Sequence, residues 1–345
     1  MNIVVLSGGV SSERDISLLN AQNICQSLRR QGHNANILDL LYGIDDSRVD
    51  NFFTENNSLL DEVILLKNKT ATVKDEVEKR KKYRQGIFGK NVIELCMQAD
   101  LCFICVSGKV GEDGHLQSVF DLYDINYTGS GQMSCLLSLD KSLSKKVLVP
   151  GGVVMPKGFT LKKGHRAEYV PFPCVVKPSM SGSSIGVSIV NNDEEFQRAI
   201  GDAFALDDNI IVEEYIKGRE FAVGFLEGKA LSIMEIKYTG NTGFNSHKNK
   251  WDPDLENEKV CPAKLDEDTT RKMKRIVEKA CDILGIEHYA KADLIMSEEG
   301  DIYLLEVNSL PNMLDTSVFP NIAAADGINY DELISRIIKM TRRYV

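Results

Sequence analysis

The stretch from Tyr289 to Ser317, YAKADLIMSEEGDIYLLEVNSLPNMLDTS, most restricts what this chain can become. Two apolar runs, Ala292 to Met296 and Ile302 to Val307, flank the turn-forming residues Ser297 to Gly300. That pattern predicts a pair of antiparallel strands. The polar exceptions are Asp293 near the start of the first run, and Glu306 with Asn308 at the end of the second. With the hairpin in register its strand ends lie side by side, so two carboxylates and an amide oxygen converge. Hard oxygen donors suit Mg²⁺, which keeps several waters and is commonly completed by substrate phosphates. A polar sheet end whose side chains satisfy one another accounts for the same residues, and the stretch alone does not choose between the two.

The rest of the chain bounds the setting. Its 345 residues exceed what one ordinary core organises and predict two or three domains. A net charge of -9 argues against a nucleic-acid partner, while leaving room for local basic pockets that hold phosphate. The opening MNIVVLSGG has no basic leader, and no segment reaches the ~20 apolar residues that span a bilayer. A cytoplasmic location with no membrane partner is therefore expected. Cys102 and Cys105 have the spacing of a redox or zinc pair, but LCFICV reads as a strand, where residues three apart face opposite ways. All eight cysteines are expected to be free core thiols.

From the N-terminus, Asn2 to Leu6 reads as a buried strand, Gly8-Gly9 as a turn, Ser17 to Arg30 as a helix and Ala35 to Leu40 as a second strand. The dinucleotide spacing GxGxxG is absent from this βαβ unit, which argues against a nicotinamide cofactor. Ser11, Ser12, Glu13 and Arg14 fall at the carboxyl end of the first strand, where α/β sheets bind ligands. Tyr42 to Lys90 is charged and irregular, with DEVEKRKKYRQ reading as a solvated helix or loop, and is expected to be an insertion with no chemistry. A strand at Leu101 to Val106 leads into SGKVGEDGHLQ and a helix near His115 to Tyr123.

Tyr127 to Gly131 reads as a turn and domain joint, and a helix carrying Asp140-Lys141 follows it. In PCVVKPSMSGSSIGVSIV, a strand ending in Lys177 opens a small-residue loop, Ser179 to Gly186, whose successive N–H groups could cradle phosphate. Strand Asn209 to Glu214 runs into Tyr215-Ile216, and Arg219-Glu220 starts another strand. A hinge with a carboxylate on each side would accept adenine and ribose, and a plain crossover is the alternative. Tyr238 to Pro262 is long, polar and without pattern, as lids are, and Glu267 to Leu284 is an amphipathic helix.

Together GGVSSERDIS, GEDGHLQ, YTGSG with LDK, VVKPSMSGSSIGV, VEEYIKGREF, FNSHKNKW, ADL and LEVNSLPNMLDTSVFP resemble the D-alanine–D-alanine ligase family of ATP-grasp enzymes over nearly the whole chain. The resemblance implies an α/β ATP-grasp fold of three domains. These are a Rossmann-like βαβ domain at residues 1–130 and two α+β domains at 131–213 and 214–345 that grip ATP. It implies an ADP-forming ligase that joins two amino acids, most simply D-alanine with D-alanine for peptidoglycan precursors, and that works as a homodimer.

Carried over, Lys141 and Lys177 would neutralise nucleotide phosphates, and Ser183 and Ser184 would sit in the flap. Glu213, Ile216 and Glu220 would hold adenine and ribose, and Lys250 on the lid would reach the γ-phosphate. Asp293, Glu306 and Asn308 would hold two Mg²⁺ ions, with Mn²⁺ able to stand in. Glu13, supported by Ser183, would take the first amino group, and Ser317 the second carboxylate.

Departures from the family pattern fall on the amino-acid side. Ser107 stands where the family has His, Asn245 and Trp251 where it has Tyr, Lys291 where it has Arg, and Asn312 where it has Gly. Replacing Arg with Lys exchanges a planar fork for a point charge at an oxyanion site. Asn312 can offer a backbone N–H there if its backbone angles allow. These changes leave open a ligase for a different pair of amino or hydroxy acids, or a silent ATP-binding relative.

Overall fold

Strand β1 (Asn2–Ser7) is buried along nearly its whole length in the computed structural model. The structure describes residues 1–55, 58–167, 171–182, 184–238 and 257–342. On either side of β1 lie β2 (Asn34–Asp39) and β3 (Leu101–Ile104), both parallel to it, and β4 (Tyr127–Thr128) runs parallel to β3. A strand covered on both faces reads as a continuous apolar run, which is why NIVVL carries no alternation. The C-terminal strand Thr341–Arg342 closes this sheet against β4. These elements belong to one compact unit, Met1–Cys135 with Leu310–Val345, while Leu136–Ser309 forms a second.

In the first unit the helix following β1 runs Arg14–Arg30, three residues earlier than its apolar stripe announces. Its first turn is fixed by Arg14, whose guanidinium is buried against Asp39 and donates to the Gly9 carbonyl at 3.0 Å. Residues 42–90 are not a detached insertion. The helix Val73–Lys82 takes up most of the charged stretch read as helix or loop, while the helix Leu59–Asn68 is unexpected, and its Leu59, Val63 and Leu66, spaced as one helical face, are buried. Thr70 Oγ1 donates to Asp15 at 2.7 Å, which ties the segment to the first helix. The eight cysteines are free and, apart from half-buried Cys261, all are buried.

The second unit contains two antiparallel sheets. Strands β5 (Gly158–Lys162), β6 (Cys174–Pro178), β7 (Ser188–Val190) and β8 (Asn209–Glu214) form one, in the order β5-β8-β6-β7. The other holds β9 (Gly218–Leu226), β10 (Lys229–Tyr238), β11 (Asn257–Val260), β12 (Tyr289–Ser297) and β13 (Ile302–Asn308), in the order β11-β10-β9-β12-β13.

The helix Glu267–Leu284 has the predicted bounds, because Asp266 caps its start through Thr269 N at 2.8 Å and Gly285 ends it at φ +69. Its Met273, Val277, Ala280, Cys281 and Leu284 pack with Phe221, Val223, Ala292, Leu294 and Leu304 of the second sheet. Each large apolar side chain buried there contributes roughly 1.5–3 kcal/mol. The end of the patternless Tyr238–Pro262 segment is a strand after all, since β11 pairs with β10. Among the described residues no helix is long and apolar enough to cross a membrane.

Candidate active site

The hairpin is in the register its apolar runs require. Asp293 of β12 lies directly opposite Glu306 of β13, and Lys291 opposite Asn308. A bulge between Leu304 and Glu306 leaves Leu305 as the extra residue, so Leu304 and Val307 both reach the core although three residues apart. The same irregularity turns Glu306 and Asn308 to the face that carries Lys291 and Asp293. On β9 that face continues through Ala222 beside Asp293 and Gly224 beside Lys291, two residues too small to cover the polar cluster.

The cluster is internally paired. Lys291 Nζ donates to both oxygens of Asp293, at 2.6 and 2.5 Å, and Lys141 Nζ lies 3.0 Å from Glu306 Oε2. Burial by itself would raise the Glu306 carboxyl, but Lys141, Lys291 and Lys177 overcome it and hold the group at about 2. For Lys291 burial favours the neutral form, and Asp293, Glu306 and Glu220 more than offset it, keeping the ammonium protonated above its ordinary range.

Lys141 reaches this place because Asp140 fixes the start of its helix, Lys141–Leu148. The buried Asp140 carboxylate accepts from Ser142 N at 2.9 Å, Ser142 Oγ at 2.7 Å and Ser179 Oγ at 2.5 Å. Burial opposes this ionised state, and those hydrogen bonds prevail, so the carboxyl stays below its usual range. Lys141 N donates to the Ser179 carbonyl at 3.0 Å and Lys141 Nζ to the Ser181 carbonyl at 2.6 Å, which joins the helix to the end of β6 and to the small-residue loop. In that loop Ser184 has a left-handed backbone, φ 58, as a turn of converging N–H groups requires.

Glu213 on β8 is buried between two lysines, bonded directly to Lys177 of β6 and accepting from Lys145 Nζ at 2.8 Å. Both ammonium groups hold its carboxyl below the usual range against the opposing effect of burial. Lys145 was not among the residues singled out from the sequence. The available signal was its place one helical turn after Lys141, on the same face. Ile216 is half-buried in the connection between β8 and β9, and Glu220 lies beside Ile295 of β12. Next to it Arg219 grips buried Glu235 through two hydrogen bonds of 2.7 and 2.9 Å, anchoring the start of β9.

In the first unit Glu13 takes the N-cap position of the helix Arg14–Arg30, and its N–H donates to Ser11 Oγ at 3.2 Å. Ser11 Oγ donates in turn to the carbonyl of buried Ser107 at 2.7 Å, so Glu13 and Ser107 meet through Ser11. A Cβ added at Gly108 would lie 3.6 Å from Glu13 Oε2. Asn312 is not among the residues with positive φ, so the asparagine needs no glycine-only backbone there. Its Oδ1 accepts from Asn20 Nδ2 at 2.9 Å. Ser317 occupies the N-cap of the helix Val318–Ala325 without capping it through its side chain.

Lys141, Lys177, Glu213, Glu220, Lys291, Asp293 and Glu306 thus form one charge network, with Asn308 at its edge. Ser183, Asn245, Lys250 and Trp251 lie outside the described residues. Among the described residues no three His, Cys, Asp or Glu are grouped to hold a metal; the hairpin set has an amide as its third donor.

Two family profiles match the chain. One, described as the D-ala D-ala ligase N-terminus, matches residues 2–130, and the other, the D-ala D-ala ligase C-terminus, matches residues 153–339. The D-alanine–D-alanine ligases of Pediococcus pentosaceus and Lacticaseibacillus casei are each 35% identical, covering 98% of this chain and 97% and 95% of theirs. Among solved structures, a D-alanine–D-alanine ligase from Bacillus anthracis complexed with ATP superposes with a TM-score of 0.74 at 25% identity. That match covers 98% of this chain and 96% of the other. The enzyme from Coxiella burnetii gives 0.75 at 24% identity, over 98% and 92%.

Proposed function

Because the chain belongs to the D-alanine–D-alanine ligase family and has its ATP-grasp fold, we infer that it is an ADP-forming carbon–nitrogen ligase joining D-alanine to D-alanine for peptidoglycan precursor synthesis. The observation that carries the reading is the opposition of Asp293 and Glu306 across the hairpin, within one charge network that includes Lys141 and Lys177.

A carboxylate does not condense with an amine at neutral pH, because its oxygen is a poor leaving group. Transfer of the γ-phosphoryl group of ATP to the first D-alanine makes an acyl phosphate and releases ADP. The amine of the second D-alanine then attacks the carbonyl carbon and loses a proton, and phosphate departs from the tetrahedral intermediate.

In this chain Lys141 and Lys177 are the cations for the phosphates, and Lys145 shares the charge of Glu213 so that Lys177 is not wholly committed to it. Incoming phosphate competes with Glu306 for Lys141. Ser184 serves the nucleotide and Ser183 the first amino group, and Glu213, Ile216 and Glu220 hold adenine and ribose. Glu13 with Ser107 receives the first amino acid and Ser317 the second carboxylate, and Lys291 and the Asn312 N–H are each assigned to the oxyanion. Lys250 is assigned to the γ-phosphate and Trp251 to the amino acids, and exclusion of water would protect the acyl phosphate from hydrolysis.

Asp293, Glu306 and Asn308 fit Mg²⁺ or Mn²⁺, being three oxygen-bearing side chains on one face with only Ala222 and Gly224 beside them on β9. Two ions held there would offset the charge on the transferring phosphoryl group. A second reading, ligation of a different amino or hydroxy acid pair, is favoured by the commitment of Lys291 to Asp293, which limits what its ammonium offers an oxyanion.

We also propose three functional domains with joints near residues 130 and 213, a cytoplasmic location and a homodimer. Limited proteolysis and sedimentation equilibrium test the first and last of these. ADP release with ATP, Mg²⁺ and a panel of D- and L-amino acids tests the activity. Release driven by D-alanine supports the reading, release driven only by another acid moves it to the second, and no release on any pair overturns both.

A further inference from the structure

The loop after the hairpin is pinned at three successive points within the first unit. Leu310 packs against the apolar cluster that includes Leu6, Leu38 and Ile104. Asn20, on the helix Arg14–Arg30 and only 4% exposed, uses both ends of its amide: Nδ2 donates to Asn312 Oδ1 at 2.9 Å, and Oδ1 accepts from Met313 N at 3.0 Å. From the other side Tyr330 OH donates to the Met313 carbonyl at 2.6 Å. Met313 is itself buried, so its peptide group has no water to fall back on.

A side chain that grips one residue by its amide oxygen and the next by its backbone N–H fixes the peptide between them. Glycine at position 312 would offer Asn20 no side-chain oxygen, so the asparagine there is half of a two-residue device. Its backbone carries no positive-φ strain that would call for glycine.

We propose that Asn20 is a positioning residue for the second amino acid. By clamping the Asn312 side chain and the Met313 N–H it holds the Cα of residue 312, from which the Asn312 N–H projects, and the entry of the chain to Ser317, and so governs affinity for the acceptor rather than for ATP. This rests on the ligase reading above, in which those two residues face the reacting carbonyl and the acceptor carboxylate.

The test uses the full chain, with ADP release measured against D-alanine concentration and fitted to two separate KM values. Wild-type turnover is established first, and its absence sinks the ligase reading rather than this one. Asn20→Leu removes both hydrogen bonds and is expected to raise the second KM by roughly tenfold, the equivalent of about one of the two, the rest being lost as stability of the loop. The first KM and the KM for ATP should stay within about twofold. Asn20→Asp restores function, because the carboxylate still accepts from Met313 N while the Asn312 amide turns to donate. Tyr330→Phe, which frees the Met313 carbonyl, shifts the second KM in the same direction and keeps the test open if Asn20→Leu fails to fold. Equal changes in all three KM values, or an unchanged second KM in both Asn20→Leu and Tyr330→Phe, would overturn the proposal.

Discussion

Replacing Glu306 with glutamine removes the carboxylate that lies 3.0 Å from Lys141 Nζ while keeping the size of the side chain. The fall of this group from an ordinary 4.5 to about 2 corresponds to roughly 3 kcal/mol of preference for the ionised form, at about 1.4 kcal/mol per tenfold. The side chain is 29% exposed, so solvent screening reduces the contribution to about 2 kcal/mol. A depressed carboxyl stabilises the folded state at every pH above its unfolded value, and that stability is lost as pH falls through the folded value. The Glu306→Gln protein, free of metal and nucleotide, should therefore be less stable than wild type by about 2 kcal/mol at pH 7. The gap should hold from pH 7 to about 5, shrink below 4.5 and be more than half gone by about pH 3, because the unfolded wild type then takes up a proton on this carboxyl while the folded protein keeps it ionised until about pH 2. Urea unfolding of both proteins at pH 7, 4 and 3 measures it. A gap that persists unchanged to pH 3, or a variant as stable as wild type at pH 7, would refute the reasoning. With ATP and Mg²⁺ the same variant should also lose at least ~100-fold in turnover.

Lys145→Met leaves Glu213 with Lys177 alone, which draws Lys177 further from phosphate, so the KM for ATP should rise several-fold; an unchanged value would remove Lys145 from the site. Gly8→Ala would place a Cβ 2.3 Å from Asp39 Oδ2 and 2.6 Å from Arg14 Nη1 at φ +75, against a buried ion pair. It should cost at least ~3 kcal/mol, read as a fall in thermal midpoint or loss of soluble protein. Ser107→His with Lys291→Arg should shift the amino-acid profile of ADP release towards D-alanine, and an identical profile would make those departures incidental.

The hairpin was legible because two apolar runs around a four-residue turn leave few registers, and the opposition of Asp293 to Glu306 follows from that register. The bulge at Leu305 was not, since no glycine marks it. Strand β8 matched to the residue because Asp207-Asp208 break the pattern before its apolar run, and the helix Glu267–Leu284 because Asp266 and Gly285 bound it. Lys145 was hidden in a basic helix face, and its role appears only when β8 brings Glu213 against it. Arg14 read as a crevice residue, whereas its partner is Asp39 at the end of β2, deep in the core. The clamp of Asn20 on Asn312 joins residues 292 positions apart, a distance at which local pattern carries no information. In the segment 42–90, three apolar residues at helical spacing were outweighed by the surrounding charge.

In the ligase reaction ATP activates a carboxylate by phosphorylating it. D-alanine labelled with ¹⁸O in its carboxylate, incubated with the protein, ATP and Mg²⁺, reads this out in the isotopic mass of the released phosphate. One labelled oxygen should appear in each phosphate formed together with a molecule of D-alanyl-D-alanine. Phosphate that carries only unlabelled oxygen, or ADP formed without any dipeptide, would contradict the account.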